Sequence, residues 1–365
     1  MIRLARPDIR RQELHVVGEV LRSGNLVQGV WVKEFERRVA RTVGGGYAVA
    51  TTSGTAALHV ALLALGIGRG DEVLVPDFTF PSTANVVELV GATPVLADID
   101  LKTFNMDPSR IGRLLTARTK AIIPVHLFGQ PADMDPILHV AKARKLFVIE
   151  DAAGALGARY RDRACGAIGY AGCFSFHPRK IITTGEGGMV VTRDRALVER
   201  MQQLRNHGMA LANGSWRLEQ AGLNYRMTDF QAALGVSQMR RLASLILRRT
   251  ALARAYTRAL EGVDGVRLPT APEGVRHAWQ ASVVLLEDGI NRDRIVAWAK
   301  AHGVEMTIGA YALSAQPHCA ARQTRLPNSS WAYRQSLCLP LHPAMAASDI
   351  HQVVTCLRNA LRTNA

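Results

Sequence analysis

The chain has no apolar run long enough to cross a bilayer, no Cys-x-x-Cys pair, and no internal repeat or low-complexity segment. The first absence argues against a membrane protein. The second means that five scattered cysteines (Cys165, Cys173, Cys319, Cys338 and Cys356) indicate neither a metal site nor a disulfide framework, and reduced thiols are expected. The start, Met1 to Pro7, lacks the apolar core of a secretion signal, so the expected location is cytoplasmic. Acid is also scarce: 30 Asp and Glu face 45 Lys and Arg, leaving a formal charge of +15. The basic residues are dispersed. Arg240-Arg241 and Arg248-Arg249 share one helical stretch, and no basic block is interleaved with aromatics. A solvated charged surface is therefore the first reading, attraction of an anionic small substrate the second, and nucleic-acid binding a distant third.

At 365 residues the chain fits a large domain plus a smaller one, and its 48% hydrophobic and 21% charged residues are those of an ordinary globular protein. Short apolar stretches alternate with helical ones. The expected strands are 47–51, 72–75, 93–98, 121–126, 146–150, 173–176 and 189–192. Helices are expected at 12–21, 32–42, 55–65, 82–89, 109–115 and 134–143. This alternation predicts an α/β fold of parallel βαβ units with helices on both faces, whose ligands gather beyond the carboxyl ends of the strands. Almost unbroken helix is expected from Asp229 to Leu260, leading into an α+β domain with a strand at 280–286, a helix at 292–301, a strand at 304–307 and a final helix at 348–361. The boundary is placed near residue 245, giving a large domain 1–245 and a small domain 246–365.

Lys180 lies in Ser175-Phe176-His177-Pro178-Arg179-Lys180, between an apolar strand and the glycine-rich Thr184-Gly185-Glu186-Gly187-Gly188. A lysine on a poorly solvated segment loses part of its preference for charge, and only an amine condenses with an aldehyde cofactor. A pyridoxal-phosphate lysine is the reading; the rival is a solvated lysine beside a turn. Asp151 follows the apolar 146–149 stretch, with Glu150 between, and should emerge where ligands bind. A carboxylate there would keep a pyridine nitrogen protonated, although an Asp after a strand is often only a helix cap. Thr52-Ser53-Gly54-Thr55-Ala56 turns from strand to helix, where free amides and the helix dipole make an anion site. Ser53 serves equally well as a simple cap.

The order of these motifs resembles that of the DegT, DnrJ and StrS sugar aminotransferases. The likeness runs from Leu21-Arg22-Ser23-Gly24 to Leu339-Pro340-Leu341 and is most specific at the lysine run and at Glu150-Asp151-Ala152-Ala153. It implies a type I aspartate-aminotransferase-like fold with pyridoxal 5'-phosphate on Lys180 and Asp151 at the ring nitrogen. It also implies phosphate contacts from Gly54, Thr55 and Ser175, and Phe80 stacked on the ring. Phe78 takes that role if the register is off by two, and a core phenylalanine is the rival reading for Phe80. The stretch Asn224-Tyr225-Arg226-Met227 implies that Asn224 reaches the cofactor phosphate of a neighbouring subunit, so that a homodimer shares its active sites; an ordinary helix entry capped by Thr228 is the plain alternative.

The resemblance implies amino transfer from an amino acid, L-glutamate first among candidates, to the keto group of a nucleotide-linked sugar. A sugar dehydratase, a cyclitol aminotransferase and, distantly, a basic DNA-binding regulator are the alternatives. Lys180 favours transfer over dehydration, because dehydrating relatives can carry histidine at that position. Two departures stand out: Gly154 occupies a position where relatives often carry Gln, His or Glu, and Gly309-Ala310-Tyr311-Ala312-Leu313 replaces a His-Tyr-x-Pro-Leu pattern. His177 is close enough in sequence to line the pocket. His126 and His342 are assigned no role, and Arg226 and Arg179 are unplaced candidates for the donor carboxylate.

Overall fold

A computed structural model describes residues 1–212, 214–268, 270–319 and 326–363. Its central sheet has seven strands: β1 (Tyr47–Thr51), β2 (Glu72–Pro76), β3 (Thr93–Ala97), β4 (Thr119–Ile122), β5 (Phe147–Asp151), β6 (Ala171–Ser175) and β7 (Gly188–Thr192). Their order is β1-β7-β6-β5-β4-β2-β3. Only β7 runs against its neighbours, pairing antiparallel with both β1 and β6. The remaining pairs are parallel. Most of these strands are buried along nearly their whole length, as expected of a sheet covered on both faces.

The helices α1 (Arg11–Ser23), α2 (Val30–Val43), α3 (Gly54–Ala64), α4 (Ser82–Leu89), α5 (Met134–Arg144), α6 (Arg195–Leu204), α7 (Asp229–Met239) and α8 (Leu242–Leu260) supply that cover. Leu58, Val60, Ala61 and Leu62 of α3 pack in one apolar cluster with Val49, Val73 and Val190 of the sheet. Phe35 and Val39 of α2 pack with Phe174, Met189 and Val236 in another. Helix α3 is apolar nearly all round, which suits an element enclosed by protein.

The expected helix from Asp229 to Leu260 breaks at Arg240-Arg241. Arg241 turns out of the helical path to pair with Asp8 and, at 3.1 Å, with Glu13, drawing the N-terminal segment onto the junction. Helix α8 then serves two cores: Leu245 and Ile246 pack with the large-sheet cluster, while Leu252, Tyr256 and Leu260 pack with the small domain. The small sheet contains β8 (Val266–Arg267), β9 (Ser282–Leu286), β10 (Thr307–Ile308) and β11 (Ser336–Leu339), in the antiparallel order β8-β9-β11-β10. Its helices are α9 (Arg292–Ala301), α10 (Pro327–Gln335) and α11 (Ala347–Arg362).

Three further expectations change. Residues 108–114 form two short 3₁₀ turns, Pro108–Arg110 and Gly112–Leu114, in place of one helix; Gly112, in the middle of the segment, disfavours helix. The 121–126 strand ends at Ile122; Val125 bridges to Asp151, and His126 then leads into a turn in which Phe128 adopts φ 59°. Ile2 pairs with Val304, and Leu4 bonds to Glu305 and Leu341, so the first residues lie on the small sheet although they precede the large one in sequence.

Candidate active site

The carboxyl ends of β1, β5 and β6 meet the amino end of β7 at one sheet edge. Register places Thr51 opposite Gly188 and Gly188 opposite Ser175, with Asp151 beside Cys173 on the next strand. Gly188 is required by this crowding: a Cβ there would lie 2.0 Å from the Ser53 carbonyl oxygen. Helix α3 begins at the same edge. Ser53 caps it, its Oγ accepting from the Ala56 amide at 3.0 Å, so the cap reading of Ser53 holds. The amides of Gly54 and Thr55, in the first turn, have no partner within the helix, which is the setting in which helix starts bind anions. A Cβ on Gly54 would come within 2.7 Å of the Ser175 Cβ and 3.3 Å of its Oγ, so glycine leaves the approach between helix start and serine open.

Asp151 is only 4% exposed, and its carboxylate is held rather than free. Oδ2 accepts from Thr83 Oγ1 at 2.7 Å and Oδ1 from the Ala153 amide at 3.1 Å. Sequence reasoning missed Thr83, which it read only as part of the helix at 82–89. The preceding Glu150 is fully buried, accepting from the amides of Gly166, Ile168 and Gly169, each at 2.7 Å. His126 spans Glu150 and the Ala132 amide, which makes it part of the frame.

Lys180 sits in a turn after β6 closed by its own amide, which donates to the His177 carbonyl at 2.8 Å; the Arg179 amide donates to His177 Nδ1 at 3.1 Å. His177 thus builds the lysine turn. Part of the Lys180 side chain reaches solvent, yet burial lowers its pKa, opposed by Asp151, which raises it, and aided by Arg179. Lys180 and Asp151 are thus electrostatic neighbours on adjacent strand ends.

Phe80 is 64% exposed, and its carbonyl accepts from the Thr83 amide, so a large aromatic stands open beside the Asp151 partner. Phe78 is fully buried against Phe104 and Phe128, which removes it from the site. Asn224 is exposed; its backbone bridges to Asn206, and its side chain has no hydrogen-bond partner among the described residues. It is not joined to the lysine and aspartate of its own chain. Thr228 stands at the N-cap of α7, its amide and hydroxyl both donating to Gln231 Oε1 at 3.1 and 2.7 Å, while Asp229 accepts from the amides of Gly29 and Val32 at the start of α2.

The residues present fit pyridoxal phosphate: an amine with a lowered pKa, a fixed carboxylate, and a helix start kept open by Gly54 beside a serine hydroxyl. Fold and site together are those of a fold type I pyridoxal-phosphate aminotransferase. Comparison with known proteins gives the particular group. The sequence pattern of the DegT/DnrJ/EryC1/StrS aminotransferase family matches residues 7–358, and the chain belongs to that family. It is 40% identical to the spore coat polysaccharide biosynthesis protein SpsC of Bacillus subtilis, over 98% of this chain and 96% of that protein. It is also 40% identical to GDP-perosamine synthase of Caulobacter vibrioides, over 91% of each. The crystal structure of the aminotransferase TlmJ from Streptoalloteichus hindustanus superposes with a TM-score of 0.94 at 33% identity, covering 100% of this chain and 99% of that one. Between enzyme and DNA-binding regulator, the family membership selects the enzyme. Among the described residues no helix is long and apolar enough to cross a membrane.

Proposed function

We propose that this aminotransferase moves an amino group from an amino acid, with L-glutamate the first candidate, to the keto group of a nucleotide-linked sugar. The observation that carries the chemistry is a clamped Asp151 at the carboxyl end of β5, with the Lys180 turn following the neighbouring strand β6. The acceptor class is supported by the likeness to GDP-perosamine synthase and by the +15 charge, which draws in a diphosphate. A cytoplasmic location accords with cysteines that are all buried, Cys165, Cys173, Cys338 and Cys356 among them as thiols.

Bound pyridoxal phosphate supplies an aldehyde for amines and a protonated ring that draws electrons from the substrate's α-carbon. Lys180 would hold it, Asp151 would face its ring nitrogen, Gly54, Thr55 and Ser175 would take its phosphate, and Phe80 would cover one ring face. Lys180 Nζ gains a larger neutral fraction from its lowered pKa, which suits it to take the proton from the donor's α-carbon and return it at the acceptor's carbon. Thr83 keeps Asp151 from turning away during that exchange.

Asn224 is assigned to the phosphate of a partner's site, because it is exposed and has no side-chain partner in its own chain among the described residues. Lys180→Ala and Asn224→Ala chains should each be inactive alone. Mixed after dissociation, they should recover up to about a quarter of wild-type activity, since random pairing gives half hybrids with one intact site each. Inactive hybrids, confirmed as formed, would return Asn224 to a role within its own chain.

The acceptor is tested in two half-reactions. L-Glutamate converts the bound cofactor to its amine form, the donor is removed, and candidate ketones are added singly. A nucleotide-linked keto sugar should restore the visible absorbance of the aldehyde form. Restoration by a free cyclitol ketone alone would overturn the acceptor and keep the aminotransferase.

A further inference from the structure

Gly154 leaves a gap three residues after Asp151, and a residue distant in sequence fills it. A Cβ at 154 would lie 3.0 Å from Gln280 Oε1 and 3.4 Å from its Cγ. The other end of the same carboxamide reaches the lysine turn, with Gln280 Nε2 donating to the Arg179 carbonyl at 3.2 Å. One small-domain side chain thus bridges the segment after Asp151 and the residue beside Lys180.

The backbone around Gln280 is heavily restrained. Trp279 adopts φ 52°, a left-handed conformation unfavourable for a bulky residue. Its ring stacks on His277 with centroids 4.0 Å apart, and its amide donates to His277 Nδ1 at 2.8 Å. Arg249, 2% exposed and without a carboxylate partner among the described residues, donates to the carbonyls of Trp279 and Gln280 at 3.2 Å and of Leu341 at 3.0 Å. Gly129, at φ 89°, admits the segment from the other side: a Cβ there would fall 3.0 Å from the Gln280 nitrogen and 3.1 Å from the Gly154 carbonyl oxygen. A strained peptide and a buried guanidinium are a high cost for holding a half-buried glutamine, and they are accounted for if its placement matters to the site.

We propose that Gln280 is a positioning residue for Lys180: its carboxamide takes the space that Gly154 vacates and holds the Arg179 carbonyl, so that the lysine-bearing turn is fixed against the Asp151 segment. The inference rests on Lys180 being the cofactor lysine. It also gives Gly154 a reason: a glutamine placed there would compete with Gln280 for one volume.

The test compares Gln280→Ala, Gly154→Gln and the double variant as full-length holoenzymes, with borohydride trapping on Lys180 as a prior check. If trapping fails at Lys180, the cofactor assignment falls, independently of Gln280. Given trapping, Gln280→Ala should lower kcat about 10- to 100-fold while KM for the donor changes by less than about threefold, since a misplaced lysine weakens the transition state more than binding. Melting temperature should stay within about 2 °C. In cofactor-free protein, the pH midpoint for acylation of Lys180 should rise by about half a unit or more, because the loosened turn admits water to the ammonium. Gly154→Gln alone should also lower kcat, and combined with Gln280→Ala it should give a faster enzyme than Gln280→Ala alone. Wild-type kcat and acylation midpoint in Gln280→Ala would overturn the proposal. So would a double variant as slow as the product of the two single losses.

Discussion

Lys180→Ala should lower amino transfer by roughly 10³-fold or more, because it removes the amine proposed to hold the cofactor and move the proton. Borohydride reduction of the wild-type holoenzyme should leave the pyridoxyl group on the peptide containing Lys180; finding it on another lysine would remove Lys180 from its role. The lowered pKa also predicts a stability effect in cofactor-free protein. The folded pKa lies below the ordinary 10.5, so between the two values the unfolded chain binds more protons than the folded one. Stability from this residue therefore rises with pH across that window and is at its lowest below the folded pKa. Lys180→Met should melt higher than wild type near neutrality, and the difference should shrink as pH approaches 10.5. A constant difference between the two melting curves would mean that the ammonium is not desolvated.

Asp151→Asn should fold and lose about 10²–10³-fold in kcat, since a neutral amide no longer favours a protonated ring, and one preorganised electrostatic partner is typically worth that much. Thr83→Val separates two contributions that Asp151→Asn merges. It keeps the carboxylate but removes the 2.7 Å bond that orients it, a charge-assisted bond worth about 1.5–3 kcal/mol. Turnover should fall by less than in Asp151→Asn, and melting temperature should fall by more. Full activity in Asp151→Asn would exclude the residue from the mechanism.

Much of the large domain was legible because its signals are local. Strand β1 and helix α4 occupy the residues that periodicity predicts, and Ser53 and Thr228 stand at the N-caps of the helices their spacing announces. The small domain was read less well. Its strand β11 lies between β9 and β10, yet Ser336–Leu339 is four residues long and has no distinguishing signal in isolation. The break at Arg241 was hidden for a related reason, since its partners Asp8 and Glu13 lie more than two hundred residues away.

The same division runs through the site. Lys180, Asp151 and the Gly54-Thr55 turn could be nominated from sequence because each lies at or shortly after the end of an apolar strand, and strand ends are where a parallel sheet exposes its ligand edge. Their chemistry follows from residue type and neighbours in the chain. Tertiary structure decided what holds them. Thr83 meets Asp151 across 68 positions and Gln280 meets Arg179 across 101, distances at which sequence carries no periodicity to read. Phe80 was separated from Phe78 in the same way. Two phenylalanines two apart would share one side of an extended strand, but the strand ends at Thr79 and the chain turns at Phe80, so Phe78 packs against Phe104 and Phe128 while Phe80 stands exposed.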